Sequence, residues 1–307
     1  MINKILKQNR EEIVKSAWIF SDLQQSIPEK ARESLTKAVE DYKSLEMNCD
    51  KIWYLGDATE GNRLDFLKEM CEMHLELLIP LNIPLRYVMG NHDFDYSRNK
   101  QKSGERVIVP FYNTIKSVAD WRTIDSLSNF YFIEEFGDFQ IVFLSDHCSE
   151  KGEWYTTHGK IHGDKDKYPY SKEDFRILSE KIKKTEKATI SVSHYAFAGG
   201  TRPSENLNQM LPLPENHLLH FYGHAHIGDA VWGKENLYRK VSWVDNQDIR
   251  QFNVSSLENR RGSSIRSVFL EIYKDNSLGI FFRDHQQMKW SECYLLSSSQ
   301  DSKIFNG

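Results

Sequence analysis

Polar side chains that can bind a metal ion follow five apolar runs of the sequence, in chain order. The five motifs are Asp-x-Gln, Gly-Asp-x-x-Glu, Gly-Asn-His-Asp, a single His, and Gly-His-x-His. Their candidate residues are Asp22, Gln24, Asp57, Glu60, Asn91, His92, Asp93, His194, His224 and His226. One such motif alone is ordinary turn chemistry, because Gly, Asn and Asp supply the backbone freedom that turns need. Five in order indicate a shared site.

The donor types in these motifs suit Mn, Fe or Zn, because they combine carboxylate, amide oxygen and imidazole groups. None of the motifs supplies a thiolate, which argues against a structural zinc site. The cysteines are scattered and form no CxxC pair; they are Cys49, Cys71, Cys148 and Cys293. This spacing favours reduced thiols over a disulfide framework.

The elements that must position these residues alternate between strand and helix in the first half of the chain. Strand-like runs in "AWIFSD", "KIWYLGD" and "LRYVMGNHD" precede the first three motifs, and two segments with helical spacing separate them. A hairpin at Gly137-Asp138, a further helix and several strands follow, and no clear helix follows His226. Ligands of open α/β sheets gather beyond the carboxyl ends of strands, so we expect the loops to converge in one crevice.

The composition places limits on the class of protein. The chain has 307 residues and a formal net charge of -4, which argues against general nucleic-acid binding. Residues 1–17 alternate apolar and charged side chains, which predicts an amphipathic helix rather than a signal peptide. Without an apolar run long enough to span a bilayer, we expect no membrane association and a cytoplasmic location.

The chain shows no convincing linker, and we therefore expect one domain over residues 1–307. The motif-bearing core would cover residues 16–230. Strands within 231–297 would complete the second sheet or form a rim, and a polar tail would cover 298–307.

Taken together, the five motifs resemble those of the calcineurin-like metallophosphoesterases, and "GNHD" with "GHAH" is the most specific pair. The resemblance implies an α/β fold, a four-layer α/β/β/α sandwich of two mixed sheets flanked by helices. It also implies two divalent metal ions, Mn, Fe or Zn, at the strand ends. The implied activity is hydrolysis of phosphoric esters, in which a hydroxide bridging the two ions attacks phosphorus in line.

The resemblance also implies a role for each matching residue. Asp57 would bridge the two ions. Asp22 and His226 would bind the first ion with Gln24 beside them. The implied ligands of the second ion are Asn91, His194 and His224.

Three further residues match positions around these ligands. By resemblance, His92 would face the phosphate, where it would protonate the leaving oxygen or stabilise the transition state. Glu60 would orient His92, and Asp93 would stabilise the loop.

The first motif departs from the family pattern, which most often reads Asp-x-His. Gln24 offers an amide oxygen, a weaker donor than imidazole that still binds hard cations such as Mn or Mg. Three alternatives stay open at this position: direct ligation, ligation through water, and a degraded site.

Substrate contacts are harder to assign. His158 and His162 lie in a Gly- and Lys-rich segment that either shapes substrate access or is a solvated loop. Arg202 is a candidate phosphate partner, because its guanidinium group can bind two oxyanion atoms. Asn91 is a candidate for the same role.

The function that these observations favour is a phosphodiesterase or a broad phosphohydrolase acting on a small phosphoester. The alternatives are a phosphomonoesterase, such as a nucleotide or protein phosphatase, and a non-catalytic metal-binding scaffold. The sequence does not indicate an oligomeric state.

Overall fold

The structure is a computed structural model. It describes residues 10–25, 27–45, 47–58, 64–90, 92–93, 131–148, 154–156, 167–169, 172–196, 216–226, 250–259, 264–296 and 302–306.

The first sheet has seven strands and combines parallel and antiparallel pairs. Its order is β15 (Ser302–Asn306), β14 (Lys289–Leu296), β13 (Leu278–Asp284), β12 (Arg266–Tyr273), β1 (Ile13–Phe20), β2 (Lys51–Tyr54) and β3 (Leu85–Tyr87). Strands β1, β2 and β3 run parallel, and the remaining neighbours run antiparallel. The carboxyl ends of the three parallel strands therefore lie at one edge of the sheet.

The second sheet has five strands. Its order is β11 (Arg250–Asn253), β10 (His217–Tyr222), β9 (Ala188–Ser193), β5 (Phe139–Leu144) and β4 (Tyr131–Phe136). Only β4 is antiparallel to its neighbour, and it joins β5 through the expected turn, where Gly137 has φ +65°. A small third sheet contains β6 (His147–Cys148), β7 (Trp154–Thr156) and β8 (Lys167–Pro169).

Strand β1 shows why the two sheets stack. Successive side chains of a strand point to opposite faces, and β1 is apolar on both. Ala17 and Ile19 lie in the hydrophobic cluster shared with the second sheet, whereas Trp18 and Phe20 lie in the cluster shared with the helices. The prediction of an α/β fold with two mixed sheets is confirmed.

Within the described residues, three α-helices accompany the sheets: α1 (Pro28–Ser44), α2 (Leu64–Leu78) and α3 (Lys172–Lys183). Helix α1 begins at a proline, whose fixed φ suits the first helical position. Its core-facing side buries Leu35, Val39 and Tyr42. No helix of the described part of the chain is long and apolar enough to cross a membrane.

One expectation about the chain ends is wrong. The helix predicted over residues 1–17 does not hold from Ile13 onward, where strand β1 pairs with both β2 and β12. The polar tail contains β15, which pairs with β14 through backbone hydrogen bonds that side-chain polarity does not indicate. The strands β12–β15 extend the first sheet, and β11 joins the second.

A buried polar cluster, the Asp41 cluster, joins α1 to the C-terminal strands; it comprises Asp41, Arg283, His285, Ser267 and Trp18. Arg283 donates two hydrogen bonds to the Asp41 carboxylate at 2.7 and 2.8 Å, and His285 Nδ1 donates a third at 2.7 Å. Burial opposes ionisation of Asp41, but these hydrogen bonds outweigh it and lower the pKa of Asp41. The cluster contains a Ser–His–Asp series, yet all three residues are at most 2% exposed, so substrate has no access to it.

Candidate metal centre

The ends of β1 and β2 bring the first two motifs together. The Asp22 N–H donates to the Gly56 carbonyl at 3.0 Å, and the Leu23 N–H donates to the Asp57 carbonyl at 2.9 Å. Parallel neighbouring strands thus place Asp22 and Asp57 at one sheet edge, as the strand-end rule predicts. Both side chains are fully buried.

The second sheet contributes the histidines. His194 follows β9, and Gly223, which follows the neighbouring β10, donates its N–H to the His194 carbonyl at 3.2 Å. The His224 N–H donates to Asp22 Oδ2 at 2.9 Å, a bond that links the loops of the two sheets. The residues from both sheets therefore meet in one place.

The donors fall into two groups, numbered after the ion that each is expected to hold. The second group comprises Asp57, His194 and His224, each of which offers one ligand atom, and these atoms lie within 4.8 Å of one another. His194 Nδ1 bonds the Leu55 carbonyl at 2.7 Å, which directs Nε2 towards Asp57 Oδ2, 3.1 Å away. His194 Nε2 and Asp57 Oδ2 face each other, and neither has a further hydrogen-bond partner. Burying such atoms is unfavourable unless another group binds them.

The first group comprises Asp22, Gln24 and His226. His226 Nε2 lies 3.1 Å from Asp22 Oδ1 and 2.9 Å from Gln24 Nε2. Asp22 Oδ1 and Gln24 Oε1 are buried without a hydrogen-bond partner. A half-turn of the Gln24 amide would exchange its nitrogen and oxygen, so either atom can face this point.

The Gly-Asn-His-Asp loop is tied to the end of β2. Asp93 accepts three backbone hydrogen bonds, from Asp57, Ala58 and Gly90, each at 2.8 Å. The expected loop-stabilising role of Asp93 agrees with these bonds. The His92 N–H donates to Asp57 Oδ1 at 2.7 Å, and the His92 residue is only partly buried.

The charges in this region influence one another strongly. Burial opposes ionisation of Asp57, but His194 and His92 outweigh it and lower the pKa of Asp57. Burial also disfavours a charged His194, but the Asp57 carboxylate raises the pKa of His194. Burial and then the negative charge of Asp57 raise the pKa of Asp93. The lowered pKa keeps Asp57 ionised, and its negative charge would attract a cation.

Four residues of the two groups have left-handed backbone conformations. Their φ angles are 56° for Asp22, 54° for Asp57, 61° for His224 and 44° for His226. Non-glycine residues rarely adopt this region, and those that do cluster at functional sites.

Glycines allow the close approach of these loops. A Cβ at Gly223 would lie 2.0 Å from Ser21 Oγ and 2.6 Å from Asp22 Oδ2, and one at Gly90 would lie 2.3 Å from Asp57 Oδ1. A methyl group at either position would displace a carboxylate of the site.

The donor set fits divalent metal ions. Carboxylate oxygens, an amide oxygen and imidazole nitrogens from separate loops converge while several of them lack hydrogen bonds. These donor types match Mn, Fe and Zn. The predicted residues that lie outside the described part of the chain are Glu60, Asn91, His158, His162 and Arg202, and their roles stay predictions.

Two features of the site were not predicted from the sequence. Glu258 Oε1 lies 2.9 Å from His226 Nδ1. The Tyr195 ring lies 5.0 Å, centroid to centroid, from both His194 and His224, and its hydroxyl donates to Asp146 Oδ2 at 3.0 Å. Tyr195 follows the single-His motif directly, which is the only sequence signal for it; Glu258 has none.

Comparisons with known proteins agree with this geometry. The family model described as calcineurin-like phosphoesterase matches residues 16–228. No curated protein matches the sequence.

Solved structures similar to the chain include phosphatases. A dimetal phosphatase from Danio rerio has a TM-score of 0.61 at 13% identity, over 89% of this chain and 97% of that one. A purple acid phosphatase from yellow lupin, Lupinus luteus, has a TM-score of 0.56 at 10% identity, over 92% of this chain and 53% of that one. The chain thus spans about half of the lupin enzyme.

A third similar structure is GAP50, the anchor in the inner membrane complex of Plasmodium. Its TM-score is 0.51 at 11% identity, over 95% of this chain and 88% of that one. At such identities the likeness to all three shows the fold alone. The family model covers well over half of the sequence, and the chain therefore belongs to the calcineurin-like phosphoesterase family, whose members are metal-dependent hydrolases of phosphoester bonds.

Proposed function

We propose that the chain is a phosphodiesterase or a broad phosphohydrolase that binds two divalent metal ions. The observation that carries the proposal is the convergence of two donor groups with buried atoms that lack hydrogen bonds. Its expected substrate is a small phosphoester. The expected cytoplasmic location rests on the sequence alone.

The ligand sets follow from the two groups of donors. Asp22, Gln24 and His226 would hold the first ion, and Asp57 would contact both. The second ion would bind His194 and His224, with Asn91 as the further predicted ligand. When bound, the two ions would supply an activated water and would neutralise charge on the phosphoryl oxygens.

The chain's own residues would supply the general acid and orient it. Asp57 and His194 are almost fully buried, whereas His92 is partly exposed. His92 can therefore contact a substrate that enters the crevice. Its backbone bond to Asp57 fixes its distance from the second group of donors. We propose that His92 protonates the leaving oxygen, and that Glu60 orients it.

Phosphomonoester hydrolysis is the second candidate. Two of the similar structures are named phosphatases, and both ester types would use the same ions and the same acid. A third candidate, a non-catalytic scaffold, follows from the likeness to a protein named as an anchor. An enzyme and a scaffold differ in whether the bound ions support turnover.

The test compares p-nitrophenyl phosphate with bis-p-nitrophenyl phosphate. Metal-stripped protein is resupplied with Mn²⁺, beside His92→Ala and a surface control, Lys37→Ala, whose side chain is 43% exposed. We expect Mn²⁺-dependent turnover, faster for the diester, and a loss of about 10²–10⁴-fold in His92→Ala, the usual contribution of a general acid.

Each other result has a definite meaning. Faster turnover of the monoester would select the phosphatase alternative. Bound Mn²⁺ without turnover of either ester would favour the scaffold. Failure to bind Mn²⁺ would refute the proposal.

A further inference from the structure

A buried carboxylate outside the five motifs approaches the first group of donors. Glu258 lies in the loop after β11 and is 0% exposed. Its backbone N–H donates to the Asp22 carbonyl at 3.0 Å, and that of Leu257 donates to the Ser21 carbonyl at 3.0 Å. The loop is thus bound directly to the segment that carries Asp22.

The side chain of Glu258 faces His226 from the side opposite Asp22. His226 Nε2 lies 3.1 Å from Asp22 Oδ1, whereas its other ring nitrogen, Nδ1, lies 2.9 Å from Glu258 Oε1. The two atoms lie close without meeting hydrogen-bond geometry. A metal ion on Nε2 would place the ring proton on Nδ1, next to the Glu258 carboxylate, which would then fix the ring orientation.

The first group has particular need of such support. Its donors are one carboxylate, the neutral amide of Gln24 and one imidazole, and an amide oxygen is the weakest of these. The binding strength of this group therefore depends heavily on the orientation of His226, which the neighbouring carboxylate would fix.

We propose that Glu258 is a positioning residue for the first metal ion, acting through His226 to strengthen a site in which Gln24 is a weak ligand. The inference rests on the proposed function, because it requires that the first donor group binds a metal ion. It assigns a task to the loop after β11 that the five motifs do not cover.

The test measures metal binding directly. Stepwise Mn²⁺ binding to the metal-stripped full-length chain is followed by calorimetry and by Mn²⁺ electron paramagnetic resonance. The variant is Glu258→Gln. The matched control is Glu271→Gln, because Glu271 is also buried, at 2% exposure, but bonds the Tyr273 hydroxyl on strand β12.

For Glu258→Gln we expect one of two Mn²⁺ sites to weaken by about 10- to 100-fold, the usual effect of removing such a partner. The other site, and both sites of Glu271→Gln, should be unchanged. In a His194→Ala background, which removes a ligand of the second ion, the remaining site should weaken by the same factor.

A rescue separates positioning from a merely structural role. Gln24→His adds an imidazole to the first group and should restore Mn²⁺ affinity to Glu258→Gln, which a fold defect would not allow. If Glu258→Gln does not fold, Glu258→Asp retains the charge on a shorter side chain and should weaken the same site.

Unchanged Mn²⁺ affinities in Glu258→Gln, or an equal loss at both sites without rescue, would overturn the inference while the proposed function stands. Absence of Mn²⁺ binding to the wild-type chain would overturn both.

Discussion

Replacing Asp57 with Asn tests the metal centre through protein stability rather than turnover. Asp57 Oδ1 accepts the His92 N–H at 2.7 Å, whereas Oδ2 lies 3.1 Å from His194 Nε2 without a hydrogen bond. An Asn side chain has the same shape and can keep the first bond with its oxygen. Its amide group can then donate to His194, so the substitution removes a charge while the contacts remain.

The expected magnitude follows from linkage. A ligand that binds only the folded state at 100 times its Kd stabilises the fold by about 2.7 kcal/mol per site. Two sites would give about 5 kcal/mol in the wild-type chain. Because Asp57 would contact both ions, Asp57→Asn should lose most of this gain. Without metal, Asp57→Asn relieves the repulsion that raises the pKa of Asp93 but also removes the attraction to His194 that lowers the pKa of Asp57, so the metal-free change in stability should be smaller than the lost metal gain.

The assay is urea unfolding of metal-stripped and Mn²⁺-loaded protein. Glu135→Gln, at a 77% exposed carboxylate, controls for the change of group and should respond to Mn²⁺ as the wild type does. Equal stabilisation of Asp57→Asn and wild type by Mn²⁺ would refute the reasoning. A metal-free Asp57→Asn several kcal/mol less stable than wild type would show instead that the carboxylate serves the fold.

The remaining predictions concern the surroundings of the site. Asp41→Asn should lower the free energy of unfolding by about 3–5 kcal/mol, because it breaks a buried ion pair. Glu173→Gln breaks an exposed ion pair and should lower the free energy of unfolding by less than about 1 kcal/mol. Similar losses for Asp41→Asn and Glu173→Gln in urea unfolding would contradict this reasoning. Gly223→Ala should abolish first-site Mn²⁺ binding in calorimetry, because its methyl group would displace a carboxylate. Burial lowers the pKa of His217 to about 3 and that of His220 to about 4. Both stay neutral in the fold while the unfolded chain protonates near pH 6.5, so stability should be complete above pH 6.5 and fall towards pH 4. His217→Asn should reduce that slope in urea unfolding measured against pH, and an unchanged slope would contradict the assignment.

Much of the fold was accessible from the sequence because its signals are local. The three parallel strands of the first sheet appear as short apolar runs, each ending in Gly, Asn or Asp, and their order determines which side chains share a sheet edge. That rule led to the expectation that Asp22, Asp57 and His194 lie near one another, and the structure places them so. Their roles as ligands stay predictions, since proximity alone binds no ion.

The features that could not be predicted depend on contacts between distant segments. Glu258 lies 32 positions after His226 in the sequence, with no motif around it, and meets His226 only because β11 joins the second sheet beside β10. His217 and His220 on β10 both bond Ser191 of β9 in the interior at 2.7 Å, although nothing in the sequence around them indicates that partner. The alternating pattern of a strand shows which residues share a face, but not which strand supplies their partners.

Stability alone does not explain the residues at the strand ends. Left-handed backbone at a non-glycine residue costs of the order of 1–3 kcal/mol. Asp22, Asp57, His224 and His226 all have it, and Asp22 and Asp57 also have buried oxygens without hydrogen bonds. Gly or Asn would adopt this backbone conformation at lower cost, so the backbone does not explain why Asp and His occupy these positions. The direction of their side chains, into the candidate metal centre, does explain it. A bound cation would offset both penalties at once, which is why stability and metal occupancy should change together in this chain.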